Sequence, residues 1–288
     1  MDPHLLHTYV TVARLSSFSA AARELGYTQS AVSQHIAALE HDLGMSLLNR
    51  RPVTPTRAGE RLLEHAGSLL LRLDAARADL TRLAGEPATA LTVVASPLAV
   101  RPETLAALPV SRATLRVQPR EDIPAAVATG AADLGLVDGL AAPSDPLRLP
   151  DVAPLTATGV AEEPVAVVLP DGHPLARRRG LRLADLVDAR WLDAPDAGLP
   201  LEQLRAATGA ARGFRPALRY EGTDIRTLLA LAAAGLGLTL LPHALAPADG
   251  ALAVPLTEPR LVHRTELLHT GVLRGSAEGL AERMRSRI

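Results

Sequence analysis

The chain has 288 residues, 48% of them hydrophobic, which is enough for two domains and a sizeable core. Its formal net charge of −1 gives no general attraction to nucleic acid, and the absence of cysteine excludes disulfides and thiolate metal sites. No basic segment followed by a long apolar run opens the chain, and no apolar stretch reaches about 18 residues. We therefore expect no signal peptide and no membrane span, and a cytoplasmic protein.

Three short helices are predicted at the start of the chain. Apolar residues at helical spacing, such as Leu5, Tyr9 and Val12, indicate a first helix over about 3–15. A second helix, over about 20–25, would be capped by Ser19 and ended by Gly26. Thr28 is the candidate cap of a third helix.

The third helix has an unusual outer face. One narrow arc is apolar and faces the core: Val32, Ile36, Leu39 and Leu43. The opposite side is small or polar: Ser30, Ser33, Gln34, Ala37 and His41. Such a face suits the recognition helix of a helix-turn-helix, where short side chains let the backbone approach bases. A small helical bundle with a polar third helix is equally consistent with this pattern alone.

The next segment favours the helix-turn-helix. Pro52 and Pro55 forbid a helix there and predict an extended, hairpin-like tip that carries Arg50 and Arg51. This arrangement is typical of a wing that contacts phosphates. The first sixty residues hold five arginines and five acids, so their net charge is zero and the positive charge is local to the wing. Phosphate contacts would be few, and tight binding would require two copies.

A long helix is predicted over 57–84, where no proline occurs. Its apolar residues alternate spacings of three and four, which is a heptad stripe: Leu62, Ala66, Leu69, Leu73, Ala76, Leu80 and Leu83. A lone helix of this kind exposes an apolar strip, so we expect pairing with a second copy through Leu62, Leu69, Leu73 and Leu80. Packing on its own domain is the alternative. Residues 85–89 read as a hinge.

From residue 91 short apolar runs alternate with helical stretches, which predicts an α/β fold. The first unit has strands over 91–96, 114–118 and 133–138, with helices at about 98–108 and before Gly130, and should form a parallel sheet. A second unit starts with the strand 164–170, and the tail returns a strand and a helix to the first unit. Two units joined by crossing strands suggest two subdomains with a cleft between them.

Two segments, "SFSAAARELGYTQSAVSQHIAALEHDLGMSLLNR" and "TPTRAGERLL", resemble the N-terminal signature of LysR-type transcriptional regulators. Looser motifs agree in order and spacing with the effector domain of that family: "ATGAADLGLVD", "VVLPDGHPLA" and "EGTDIRTLLALAAAGLGLTLLP". The family usually has Pro where Ser30 stands, a cation where Gln34 stands and Phe where Leu48 stands. These departures concern which bases are read, not docking in the groove.

The resemblance implies a winged helix-turn-helix over 1–58, a linker and dimerisation helix over 59–84, and an effector domain over 90–288. The effector domain would consist of two Rossmann-like subdomains of the periplasmic-binding-protein type II kind, I (90–160 with 260–288) and II (161–259). DNA contacts are expected from Thr28, Gln29, Ser30, Ser33, Gln34, Ala37, Arg50 and Arg51. The partners implied are an interrupted inverted repeat of double-stranded DNA, a small-molecule effector, further copies of the chain as homodimer or homotetramer, and RNA polymerase.

Ligands in such folds bind at the carboxyl ends of strands and at helix N-termini. The candidate effector-binding residues are therefore Ser96, Pro97, Leu98, Asp138, Asp193, Ala194, Thr223 and Asp224. Each has a structural alternative, since Ser96 and Asp224 suit helix caps and the two other acids suit turns. If Asp138 and Asp193 both line the cleft, a ligand with an amino group is favoured.

Enzyme motifs are absent from the sequence, which contains no Gly-x-Ser-x-Gly, no phosphate-binding Walker loop and no His-Glu-x-x-His. We expect no enzymatic activity, no cofactor and no metal. The leading hypothesis is an effector-responsive, DNA-binding transcriptional regulator. One rival is an effector-independent DNA-binding protein whose cleft is filled by its own side chains. Another is an enzyme or solute-binding protein with an accessory helical domain.

Overall fold

The structure is a computed structural model that describes all residues except 85–89, 109–111, 210–212, 246–248, 272, 274 and 286–288. It divides into two compact units, one of residues 1–77 with 151–153 and one of residues 78–150 with 154–288. The predicted hinge at 85–89 lies outside the described residues. In the described part of the chain, no helix has the length and apolarity needed to cross a bilayer.

Three helices form the core of the first unit: α1 (Pro3–Leu15), α2 (Phe18–Leu25) and α3 (Gln29–Leu43). Buried Leu6, Tyr9, Val12, Val32, Ile36 and Leu39 lie between them. Thr28 caps α3 and Gly26 ends α2 with φ +70°, as predicted. The predicted Ser19 cap is wrong: Ser17 caps α2, because the helix starts earlier and places Phe18 in the core.

The predicted hairpin-like tip is confirmed. Strands β1 (Leu48–Arg50) and β2 (Val53–Pro55) pair antiparallel, with Leu48 opposite Pro55. The Glu40 side chain accepts hydrogen bonds from the backbone N–H groups of Leu47 (2.8 Å) and Leu48 (3.2 Å). Helix α3 therefore fixes the start of the wing.

Helix α4 (Arg57–Ala84) is continuous over the predicted range. Ala66 is buried in the core of the first unit and Leu62 packs against it, so the first turns of α4 stabilise that unit. Further along, Leu69, Leu73 and Leu80 are exposed by 39%, 37% and 68%. The start of α4 therefore packs on its own unit, while the pairing of the exposed leucines with a second copy stays a prediction.

The second unit is built on an eight-stranded sheet. Its strands are β3 (Leu91–Ala95), β4 (Ala113–Val117), β5 (Leu134–Ala141), β6 (Thr156–Pro170), β7 (Leu181–Arg182), β10 (Thr239–Pro242), β11 (Ala251–Glu258) and β12 (Val262–His269). The order is β4-β3-β5-β12-β6-β11-β7, and β10 also pairs with β6. A separate parallel pair consists of β8 (Trp191–Asp193) and β9 (Pro216–Arg219). The helices are α5 (Pro102–Ala107), α6 (Ile123–Ala128), α7 (Leu201–Thr208), α8 (Ile225–Ala233) and α9 (Ser276–Arg285).

Strand β6 differs most from the prediction. The sequence predicted it only over 164–170, but it runs for 15 residues. Its first part pairs with β12, and its last part, from Val165, pairs with β10 and β11. It therefore crosses from one half of the unit to the other. Strand β11, which contains Pro255, was not predicted at all.

The parallel arrangement predicted for the first half is confirmed, since β3 pairs in parallel with both β4 and β5. The second half is not parallel throughout, because β10 and β11 run antiparallel to β6. The helix predicted at about 98–108 is also shorter. A 3-10 turn covers 97–99, and α5 starts only at Pro102, because the residue before a proline disfavours the α conformation.

Candidate functional site

The outer face of α3 is exposed and almost uncharged. Gln29, Ser30, Gln34 and Ala37 are exposed, and Ser33 is half-buried. Thr28 holds the end of the helix, since its hydroxyl accepts from the N–H of Ala31 (3.2 Å) and contacts the Ser30 hydroxyl (3.1 Å). Six predicted DNA-binding residues therefore lie at the cap and along the first nine residues of one helix: Thr28, Gln29, Ser30, Ser33, Gln34 and Ala37.

The two wing arginines differ in their surroundings. The Arg50 guanidinium lies 3.3 Å from a carboxylate oxygen of Glu40 and 5.0 Å from the centre of the Phe18 ring. Arg51 lies at the turn between β1 and β2, is exposed, and has no ion pair among the described residues. Arg51 is therefore the wing charge that can approach a phosphate without leaving a partner.

An aromatic cluster beside the start of α3 was not predicted. The rings of His4, Tyr27 and His35 meet edge to face, with centres 5.3 to 5.7 Å apart. The Tyr27 hydroxyl lies 2.9 Å from Nε2 of His4, and Nδ1 of His35 lies 3.2 Å from the Thr8 hydroxyl. The cluster fastens the N-terminal end of α3 to α1. Its members are far apart in sequence, so local spacing gave no signal for it.

The candidate effector-binding residues fall into two groups. Ser96, Pro97, Leu98, Asp138 and Ala194 are buried, whereas Asp193 is half-buried and Thr223 and Asp224 are exposed. Asp193 pairs with Arg219 at 2.8 Å. Asp224 caps α8, because its carboxylate accepts hydrogen bonds from the N–H groups of Arg226 and Thr227. The hydrogen bond from the Thr227 hydroxyl, followed by those two backbone hydrogen bonds, lowers the pKa of Asp224. Ser96 does not cap the turn that follows it; its hydroxyl lies 3.3 Å from the Leu136 carbonyl oxygen.

Arg120 occupies the cleft at the carboxyl ends of β3, β4 and β5. Its Nη1 donates to Oδ2 (3.0 Å) and to the backbone oxygen (3.3 Å) of Asp138. Its Nε donates to the carbonyl of Pro195 (3.2 Å), and its Nη2 donates to the carbonyl of Gly198. The sequence analysis missed this residue, although its position three residues after the end of β4 places it at the edge where the candidates were sought.

A chain of buried charges continues from Asp138. Oδ2 of Asp138 lies 3.1 Å from Nε2 of His263, and Nδ1 of His263 lies 3.3 Å from Oε1 of Glu163. The same Glu163 oxygen lies 2.8 Å from Nη1 of Arg101. These three inner groups belong to the neighbouring strands β5, β12 and β6.

The surroundings of these groups shift their pKa values. Burial opposes ionisation of Asp138, but the Arg120 charge and the His263 hydrogen bond outweigh it and lower the Asp138 pKa to about 2. Burial likewise opposes protonation of His263, but the hydrogen bonds to Asp138 and Glu163 outweigh it and raise the His263 pKa. Their mutual contacts therefore favour the charged forms of Asp138 and His263.

A cavity of about 460 Å³ opens beside Arg120. It lies between the end of β5, the loop 142–150 and the start of α7. Of the eight candidate effector-binding residues, Asp138 alone lines it. The other charged residues in its wall are Arg120, Glu121, Asp145, Arg148, Asp196 and Glu202. Its size is in the range of small-molecule sites.

Comparison with known proteins identifies both parts of the chain. The family described as "Bacterial regulatory helix-turn-helix protein, lysR family" matches residues 3–60, and the family described as "LysR substrate binding domain" matches residues 84–271. A "Probable hydrogen peroxide-inducible genes activator" of Mycobacterium avium is 32% identical over 257 residues, which are 85% of this chain and 78% of that protein. An "Uncharacterized HTH-type transcriptional regulator YnfL" of Escherichia coli is 30% identical, over 82% of this chain and 80% of that protein.

Solved structures of similar fold agree with the family match. A cysteine mutant of Corynebacterium glutamicum OxyR matches with a TM-score of 0.52 and 25% identity over 99% of this chain and 91% of that one. A full-length BenM mutant matches with a TM-score of 0.55 over 100% of this chain and 96% of that one, and at 24% identity it shows the fold alone. The chain therefore belongs to the LysR family and is a transcriptional regulator with a DNA-binding helix-turn-helix and an effector-binding domain.

Proposed function

We propose that this regulator reads an interrupted inverted repeat of DNA with two copies of α3, and that a small molecule bound in the 460 Å³ cavity changes its promoter contacts. The observation that supports DNA reading best is the exposed face of α3, where the amides of Gln29 and Gln34 have no hydrogen-bond partner among the described residues. Glutamine amides can hydrogen-bond to base edges in the major groove.

Two copies are needed because one wing offers few phosphate contacts. Exposed Leu69, Leu73 and Leu80 on α4 supply an apolar strip for self-association. In this proposal residues 1–58 bind DNA in the cytoplasm, residues 59–84 pair the copies as a homodimer or homotetramer, and residues 90–288 bind the effector. Light scattering of the wild type and of a Leu73→Glu, Leu80→Glu double variant tests the pairing. The molar mass of the double variant should be lower than that of the wild type, because its copies no longer associate.

The signal is a reversibly bound ligand in this proposal. The Mycobacterium avium relative is named as hydrogen peroxide-inducible. Peroxide sensing by thiol oxidation requires a cysteine, and none occurs among the 288 residues of this chain. The hydrogen peroxide response named for that relative therefore does not identify the signal of this protein.

Sequencing of DNA fragments captured by the purified chain would identify the operator, beginning with the region upstream of its own gene. Gln34→Ala should then relax discrimination at one base pair in each half-site, by about 1–3 kcal/mol, and leave binding to unrelated DNA unchanged. His41→Ala is the matched control, because His41 is exposed on the same helix about 10 Å nearer its C-terminal end. Unchanged discrimination in Gln34→Ala would refute the assignment of α3 as the reading surface.

The rival proposal, a regulator that responds to no small molecule, is favoured by one observation: Arg120 fills the cleft with the chain's own side chain. A thermal-shift screen of amines, amino acids and organic acids separates the two. A saturable hit that also changes operator binding supports the effector-responsive regulator, and its absence across the screen supports the rival.

A further inference from the structure

We infer that the cleft beside Asp138 is a cage for a guanidinium group, which Arg120 fills in this structure, and that the effector carries a guanidinium or amidinium head that replaces the Arg120 side chain. This inference rests on the proposed effector-responsive function and names the chemical class of its ligand. Three independent features of the cleft support it.

The first feature is the set of acceptors around Arg120. A guanidinium presents five N–H donors in a planar fork. Here its three nitrogens meet one carboxylate oxygen and three backbone oxygens, from Asp138, Pro195 and Gly198. These four groups are all acceptors, so an anionic or acceptor-rich ligand head in place of the cation would face oxygen atoms.

The second feature is that the acceptors depend on a cation. Within the described residues, the carbonyls of Pro195 and Gly198 have no other hydrogen-bond donor. The second carboxylate oxygen of Asp138, Oδ1, is buried and accepts no well-formed hydrogen bond from any residue that the structure describes. Buried polar groups are costly when unpaired. If Arg120 leaves, the cage therefore needs a replacement with several N–H groups, and Oδ1 offers a second contact for a bidentate fork.

The third feature is the charge of the adjoining cavity. Four acids in its wall, Glu121, Asp145, Asp196 and Glu202, have no ion pair among the described residues, against one unpaired cation, Arg148. A cavity wall with an excess of one sign of charge concentrates ligands of the opposite sign. The cavity of about 460 Å³ gives such a cation a route to the cage and room for a body beyond the head group.

Replacement of Arg120 has a consequence for the two halves of the domain. Arg120 follows β4, and Asp138 lies in β5. Pro195 and Gly198 lie in the loop between β8 and α7. The Arg120 side chain thus joins the two halves across the cleft. A ligand in the cage makes the same bridge with its head group while Arg120 is released.

Chemical complementation tests the inference directly. Arg120→Ala, in the full chain, empties the cage and should lower the unfolding temperature reported by Trp191, the single tryptophan of the sequence. Millimolar methylguanidine should restore part of that loss and bind saturably by calorimetry, whereas the neutral methylurea should do neither. Wild type should bind methylguanidine at least tenfold more weakly, because its own Arg120 competes for the cage.

Two further variants control the experiment. Arg148→Ala removes the unpaired arginine of the same cavity and should create no methylguanidine site. Arg120→Ala combined with Asp138→Asn should lose the methylguanidine binding of the single variant. If Arg120→Ala does not fold, Arg120→Met retains the apolar stem and serves in its place.

Absence of saturable methylguanidine binding in a folded Arg120 variant would overturn the cage. Operator binding is measured separately with the wild type and its Gln34→Ala variant. If complementation fails while Gln34→Ala relaxes operator discrimination as expected, the ligand class alone is removed. If Gln34→Ala leaves discrimination unchanged, the proposed DNA-reading surface is removed.

Discussion

Substitution of Arg51 by alanine gives the sharpest test of how the wing binds DNA. Arg51 is exposed at the tip of the hairpin and has no ion pair among the described residues, so its charge is available to a phosphate. Each phosphate neutralised on duplex DNA adds about 0.9 to the slope of log K against log salt. A dimer on an inverted repeat presents two wings. Arg51→Ala should therefore make the slope shallower by about 1.8.

Fluorescence anisotropy between about 50 and 200 mM salt, on the operator and on a scrambled duplex, measures this slope. The loss should be the same on both sequences, because phosphate contacts carry no sequence information. Arg50→Ala should change the slope less, because Glu40 already neutralises part of the Arg50 charge. Arg61→Ala, an exposed arginine paired with Glu64 on α4, is the control and should change nothing. A slope unaffected by Arg51→Ala, or a loss confined to the operator, would refute the phosphate contact.

Three predictions concern stability. Gly59→Ala should lower the free energy of unfolding, measured by circular dichroism melting, by about 1–3 kcal/mol, because a Cβ there would lie against the Leu47 carbonyl and 2.5 Å from the Tyr9 hydroxyl. A Cβ at Gly67 would meet no atom within 4 Å, so Gly67→Ala should leave the stability unchanged or raise it. Asp224→Ala should lower the unfolding temperature by removing the α8 cap, and Asp224→Asn, which still caps, should lower it less. The raised pKa of His263 stabilises the fold fully below the unfolded value of about 6.5, and this stabilisation is lost as pH rises through the folded value. The free energy of unfolding followed by Trp191 fluorescence should therefore fall as pH rises above about 6.5, and should fall less in His263→Gln; equal slopes would contradict this.

Local chemistry was sufficient to predict the exposed face of α3, on which the proposed DNA-reading residues lie. The face of α3 follows from a 3.6-residue period, and its start and the preceding turn follow from Thr28 and Gly26, whose roles depend only on their neighbours. The misplaced cap shows the limit of this reasoning. Ser17 and Ser19 are chemically equivalent, and only the burial of Phe18 in the core decides between them.

The residues of the candidate effector site could be predicted only in part. The rule that ligands bind at strand carboxyl ends led to Asp138, which does line the cavity. It also led to Asp193 and Asp224, whose charges are engaged by Arg219 and by the start of α8. The contacts of Arg120 with Pro195 and Gly198 span 75 and 78 residues of sequence. Local patterns contain no information on such pairs.

The buried charges behind the cleft restrict the ligand further than the contacts alone. One oxygen of Asp138 is shared between Arg120 and His263, and His263 is in turn shared with Glu163. A neutral ligand that displaced Arg120 would leave Asp138 with only this shared imidazole, and an uncompensated buried charge costs about 3–5 kcal/mol. A cationic ligand restores the balance and avoids that cost. Two ligand heads of equal shape, one charged and one neutral, should therefore differ by orders of magnitude in affinity, because the interior of the domain distinguishes them by charge.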